Sequence, residues 1–204
     1  MRPLPLILAA LLCAPAARAE APVPGAVEQY LLAHRLFAAG QSARDGLDQI
    51  AGARMAAALT LRPLDLAPEV AGKGKAGAAA PLPDAAQMLA AAAQAVETDE
   101  TLSILLGSAT MTADLLPKAT LRSAAGALAP GQSHRYRLPV DGGAATEIGL
   151  LADSPALMLE IATESGLLCK GQALCRVTLP ESGFLAVTVQ NGGDSAAPYH
   201  LLTN

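Results

Sequence analysis

The period of the apolar pattern changes once along these 204 residues, near Pro117, and this change limits the possible folds more than any other feature. Upstream, apolar residues recur every three or four positions, as on one face of a helix. Downstream they alternate, as on one face of a strand. Helices collected first and strands afterwards predict an α+β chain, because a parallel α/β sheet would need the two patterns interleaved. The expected architecture is a small N-terminal helical bundle over residues 20–117, followed by an antiparallel, jelly-roll-like β-sandwich over residues 118–204.

Within the first part, residues 26–39 predict a helix with Val27, Tyr30, Leu31, His34 and Phe37 on one side, ended by Gly40. Ser42 stands three residues before Asp45, a pair resembling a capping box, and a second helix carries Leu47, Ile50, Ala51, Met55, Ala58 and Leu59 at helical spacing. Gly46 and Gly52 weaken that helix by about 1 kcal/mol each relative to Ala, so it depends on packing. A third helix is predicted from Asp84, with Gln87 three residues on and Met88, Leu89, Ala92, Ala95 and Val96 inward. A fourth is predicted from Asp99 to Gly107 through Leu102, Leu105 and Leu106. Between them, residues 61–83 carry Pro63, Pro68, Pro81 and Pro83 around a Gly, Lys and Ala run, which reads as a flexible loop. No second copy of the first helix pair follows, so the helices form a bundle and not a solenoid.

In the second part, His134, Tyr136 and Leu138 alternate with Arg135 and Arg137, and Leu157, Leu159 and Ile161 with Met158 and Glu160. Cys175, Val177 and Leu179 alternate with Arg176 and Thr178, and Leu185, Val187 and Val189 with Ala186 and Thr188. Turn signals such as Asp141-Gly142-Gly143 and Asn191-Gly192-Gly193 separate the runs, the spacing of a sandwich.

The N-terminus reads as a secretory signal: Arg2, an apolar run from Leu4 to Cys13, and Ala17-Arg18-Ala19 as the cleavage site before Glu20. The run is about ten residues, short of the roughly 20 of a membrane-spanning helix, and no second span follows, so the mature chain carries no transmembrane segment and is periplasmic or secreted. Leu12 precedes Cys13 where a lipoprotein signal carries a small residue, so lipidation is not expected. Net charge is −4, and cleavage removes two arginines, which argues against nucleic acid and anionic membranes as partners. The aromatic share is 2% with no Trp, so stacking platforms for sugars or single-stranded nucleic acid are scarce.

Leu128-Ala129-Pro130-Gly131-Gln132-Ser133, Tyr136-Arg137-Leu138, the run from Leu157 to Gly166, Pro180 to Gly183, Val187 to Asn191 and Tyr199 to Asn204 follow one another in an order that resembles the bacterial pre-peptidase C-terminal domain (PPC-like) family. The resemblance covers roughly the last 80 residues. It implies a β-sandwich accessory module without catalytic residues, of the kind appended to exported proteins. Relatives that bind calcium use an Asp-Leu-Asp-Leu strand. The matching positions are Ala156-Leu157-Met158-Leu159, without the carboxylates a hard cation needs, so no calcium is expected there.

Candidate chemistry is sparse. After cleavage, Cys169 and Cys175 are the remaining cysteines, and a structural disulfide across a hairpin-like turn is the expected use; closing so short a loop is worth roughly 2 to 2.5 kcal/mol. Their spacing is not Cys-x-x-Cys, which argues against redox chemistry. His34, His134 and His200 are not at metal-ligand spacing, and no metal or cofactor is implied. Ser133 and His134 are adjacent on a strand and point to opposite faces, and no Gly-x-Ser-x-Gly is present. Glu160, Glu164 and Glu181 read as solvated strand ends in preference to a sugar-cleaving carboxylate pair. Gly72-Lys73-Gly74-Lys75-Ala76-Gly77 has dinucleotide-site spacing but lacks the flanking strand and helix such a site requires, and reads as linker. The leading expectation is a non-enzymatic interaction module for an envelope or periplasmic protein partner. A carbohydrate- or envelope-binding module and a periplasmic hydrolase are the alternatives. An apolar groove on the bundle would favour the first, an exposed Tyr136 on a polar sheet face the second, and convergence of His134, His200 and glutamates the third.

Overall fold

A computed structural model describes residues 24–204. The predicted signal peptide, its expected cleavage site and Cys13 lie outside the described residues. The chain is α+β, with four helices and two five-stranded sheets.

Helix α1 (Ala26–Ala43) turns inward Val27, Tyr30, Leu31, Ala33 and Phe37. It does not stop at Gly40, as expected, but runs three residues further and is capped by Arg44 in the left-handed conformation. Gly40 serves close packing instead: a Cβ there would lie 2.8 Å from the Gln49 backbone nitrogen. The Ser42–Asp45 capping pair does not form either. Ser42 lies inside α1, its Oγ donating to the Ala38 carbonyl, while Asp45 alone caps α2 (Gly46–Ala56) by accepting from the Leu47 and Asp48 amides at 2.9 and 3.2 Å. A Cβ on Gly52 would lie 2.7 Å from the Ala33 carbonyl and 2.9 Å from Phe37 Cβ. The glycines that weaken the helix locally are therefore what lets α1 and α2 approach in antiparallel contact. Leu47, expected inward, is exposed, and α2 ends at Ala56 before Leu59.

Helix α3 (Ala85–Ala95) begins with the predicted capping box. The Gln87 amide donates to Asp84 at 2.8 Å and the Asp84 amide to the Gln87 side chain at 3.0 Å. Met88, Leu89, Ala92 and Val96 are buried and Ala95 is not. Helix α4 (Glu100–Ala113) starts at the Asp99 cap as expected but passes Gly107, the predicted end, by six residues.

The strands are β1 (Leu59–Pro63), β2 (Glu69–Ala71), β3 (Ala119–Leu128), β4 (Ser133–Val140), β5 (Ala145–Leu151), β6 (Leu157–Thr163), β7 (Gly166–Lys170), β8 (Leu174–Thr178), β9 (Gly183–Asn191) and β10 (Ala197–Thr203). One sheet has the order β1-β3-β10-β5-β8 and the other β2-β4-β9-β6-β7. Without β1 and β2 this is the strand order of a jelly roll. All pairs are antiparallel except β1 with β3. The inward residues are the ones the alternation marks: Tyr136, Leu138, Leu157, Leu159, Ile161, Cys175, Val177, Leu185, Val187 and Val189.

The stretch 61–83 departs from expectation. In place of the loop expected there, the chain from Leu59 to Ala71 gives an edge strand to each sheet and crosses between them, with Leu64 buried in the sandwich core. At the opposite edge, Cys169 on β7 and Cys175 on β8 form a disulfide. This bridge joins the two sheets, a correction to the hairpin bridge expected, because β7 and β8 belong to different sheets. Both open edges of the sandwich are thus crossed by chain or bond.

The helices cover the outer face of the β1-containing sheet. Leu121 of β3 and Leu202 of β10 lie in the helical core with Val27, Leu31, Phe37 and Met88. Gly149 of β5 leaves room for Val27, whose side chain a Cβ there would meet at 2.5 Å. Glu147, on the same strand and buried, accepts the Val27 amide at 3.0 Å and so satisfies the start of α1, where Gly25 has no side chain to offer. Arg176 donates to Glu147 at 2.7 Å and also to Glu28 on α1.

Candidate interaction surface

The residues singled out from sequence do not converge. His134 on β4 meets the Tyr199 hydroxyl at 2.7 Å, and that hydroxyl meets Tyr136 at 2.7 Å, forming a chain of three polar tips that runs into the sandwich core. Gly126 on β3 makes room for the Tyr199 ring. Burial lowers the His134 pKa and raises that of Tyr136, so these groups stay neutral at ordinary pH. His200 on β10 instead faces the helix layer, where it feels the charges of His34 on α1 and Asp153 after β5; burial is the main cause lowering both histidine pKa values, against a smaller opposing effect of Asp153. Among the described residues no group of three or more His, Cys, Asp or Glu side chains is placed to hold a metal ion.

The glutamates are equally dispersed. Glu160 pairs with Lys170 across β6 and β7 at 2.9 Å, Glu164 sits on the following turn, and Glu181 lies beside Gly142 on the β8–β9 turn. Ser133 and His134 occupy successive positions of β4 and so opposite faces. The Gly72–Gly77 motif follows β2 without opening a helix, which leaves no helix N-terminus for a phosphate. At the calcium-strand positions, Leu157 and Leu159 point into the core and Met158 outward. Tyr136 is buried.

What the fold does present is an apolar surface on the bundle. Helix α4 rests on α2 and α3 through Leu106 and Ala109, while Ile104, Leu105, Met111 and, just past its end, Leu115 are exposed, with Ile104 at 70% and Met111 at 79%. On one side of α4 a groove of ≈ 530 Å³ runs along α2, lined among others by Leu47, Ile50, Met55, Leu105 and Leu116. On the other side a second groove, ≈ 440 Å³, lies against α3 over Leu89, Ala93 and Leu106. Arg54 is the charged side chain lining the first. Large apolar side chains left in water next to one another mark a contact surface more often than isolated ones do.

The sequence reading marks this helix by Leu102, Leu105 and Leu106 and does not single out Ile104, Met111 or Leu115. The signal was present: apolar residues at 102, 104, 105, 106 and 111 cover more of a helix than the single stripe one contact requires.

No family model matches the chain, and no curated protein matches it. Among solved structures, a periplasmic inhibitor of g-type lysozyme from Aeromonas hydrophila aligns at 13% identity and TM-score 0.37, over 41% of this chain and 84% of that one. A de novo designed double-stranded β-helix aligns at 15% identity and TM-score 0.28, over 41% of this chain and 99% of that one.

Proposed function

We propose that this chain is an exported, non-catalytic accessory module that docks an envelope or periplasmic protein partner through the apolar surface of α2 and α4. The observation that carries this reading is exposed Leu47 and Leu105 lining the α2–α4 groove, together with exposed Ile104 and Met111 on α4 and Leu115 just past its end. The occupant is an amphipathic helix of the partner. Its apolar face fills the groove, and a carboxylate at its edge meets Arg54, the charged side chain there. The last 80 residues act as a PPC-like scaffold, in keeping with the jelly-roll order of their strands and with β6 lacking the carboxylates of the calcium-binding relatives. Export is supported by the signal-like N-terminal sequence and by the disulfide, which reducing compartments do not sustain. No helix among the described residues is long and apolar enough to cross a membrane. A glycan-binding reading loses its platform, because Tyr136 is buried.

A photo-crosslinking residue placed at Met111 of the mature protein in its native envelope, with one at exposed Arg122 as control, tests the proposal. The expected result is one protein adduct from position 111, absent from position 122 and abolished by Ile104→Asp, with the captured segment binding the purified protein as a synthetic helix. The same adducts at both positions, or a segment that binds Ile104→Asp as tightly as the unaltered protein, would overturn it.

A further inference from the structure

The outer face of the β2-containing sheet is not covered by helices, and it carries a second site. Register across its five strands sets Glu69, Arg135, Thr188, Glu160 and Lys170 in one row. Glu160 and Lys170 close on each other in a salt bridge. Arg135 does not pair in this way, nor does Arg137 two residues along the same face of β4: neither guanidinium is in an ion pair among the described residues, although Glu69 and Glu164 stand nearby.

These four charged residues line one depression of ≈ 280 Å³. Its lining is otherwise small or apolar, with Ala162 and Ala186 opposite each other in register and Phe184 beside them. The Arg137 guanidinium lies 3.7 Å from the centroid of the Phe184 ring, which holds it in place before any ligand arrives. Arg137, held by this ring, and Arg135 on the same strand suit a carboxylate, which arginine recognises through paired donors. A pure anion, however, would also meet Glu69 and Glu164. The arrangement suits a ligand that brings a positive group of its own.

We propose that this depression, where Arg135 and Arg137 of β4 face Glu164 across the Ala186 and Ala162 floor, binds a short zwitterionic peptide, with its carboxylate on the arginines and its ammonium on Glu164. The site is separate from the α2–α4 groove, so either reading stands or falls without the other.

The test is an amide-resolved NMR titration of the full mature protein with three dipeptides of one skeleton: Ala-Ala, N-acetyl-Ala-Ala and Ala-Ala amide. Ala-Ala is expected to move the Ala162, Thr163 and Ala186 resonances saturably, with a midpoint of about 10 mM or below, and the two blocked peptides to bind about tenfold more weakly. Arg137→Gln and Glu164→Gln should each weaken Ala-Ala by about fivefold or more, while Arg122→Gln, on the other sheet, leaves it unchanged. Equal binding of N-acetyl-Ala-Ala would overturn the ammonium assignment and with it the proposal. So would unsaturable shifts, or shifts insensitive to both substitutions in variants whose remaining spectra match the unaltered protein.

Discussion

The buried Glu147 carboxylate has two partners, the Val27 amide at the start of α1 and Arg176 on the neighbouring strand, and it fits because Gly25 leaves room, where a Cβ would lie 2.0 Å from it. Replacing it by Ala leaves the first turn of α1 without an acceptor in a buried site, an expected loss of about 2 kcal/mol in urea-unfolding free energy. Glu147→Gln should lose less, since an amide oxygen still accepts from Val27. His34, His134 and His200 make a second prediction. Burial holds all three folded-state pKa values below the ordinary histidine value, so the unfolded chain binds protons first. Stability is then full above the ordinary value and falls as pH drops through it. The urea midpoint should decrease between about pH 7 and pH 5, with a shallower decrease in His34→Gln/His200→Gln. Neither role was legible in sequence. Glu147 lies 120 positions from Val27, and a strand glutamate looks solvated until a helix is laid across it.

Legibility at the scale of elements followed the strength of local signals. The Asp84–Gln87 cap and the β4, β6, β8 and β9 alternations were plain because capping and two-residue period are local properties. β1 and β2 were missed because they are short, flanked by prolines and held by pairing to β3 and β4 rather than by their own composition. The disulfide pairing was legible from cysteine arithmetic, but its role between sheets was not, since that depends on the strand order. Cys169→Ser/Cys175→Ser should lower unfolding free energy by roughly 2 to 2.5 kcal/mol, read by denaturant melts with and without reductant, and reductant should not affect the variant. At the other edge, Leu64 is the buried side chain of the crossing segment, and Leu64→Ala should cost about 2 to 4 kcal/mol by the same measurement. A loop lying outside the core would tolerate that change within about 0.5 kcal/mol.

For the whole molecule, the change of period at Pro117 divides helices from most strands but not the hydrophobic cores. The helical core includes Leu121 and Leu202, and the sandwich core includes Leu64, so each core borrows from the other side of residue 117. A fragment of residues 118–204 should therefore give a poorly dispersed NMR spectrum, whereas the chain from Glu20 melts in one transition seen alike by a probe in α1 and a probe in β9. The apolar α4 surface was only half legible for a related reason: the sequence shows an excess of apolar residues on the helix, and only packing shows which apolar face remains uncovered.

Leu202 stands two residues before Asn204, yet it sits among side chains that begin at Val27. The helices cannot complete their packing until β10 has been made, because Leu202 belongs to their core. β10 also lies between β3 and β5, so the sheet beneath the helices has a gap in its middle until the same moment. Assembly is consequently a late and long-range event, closer to the millisecond-to-second regime of sandwiches than to the speed its four helices would suggest.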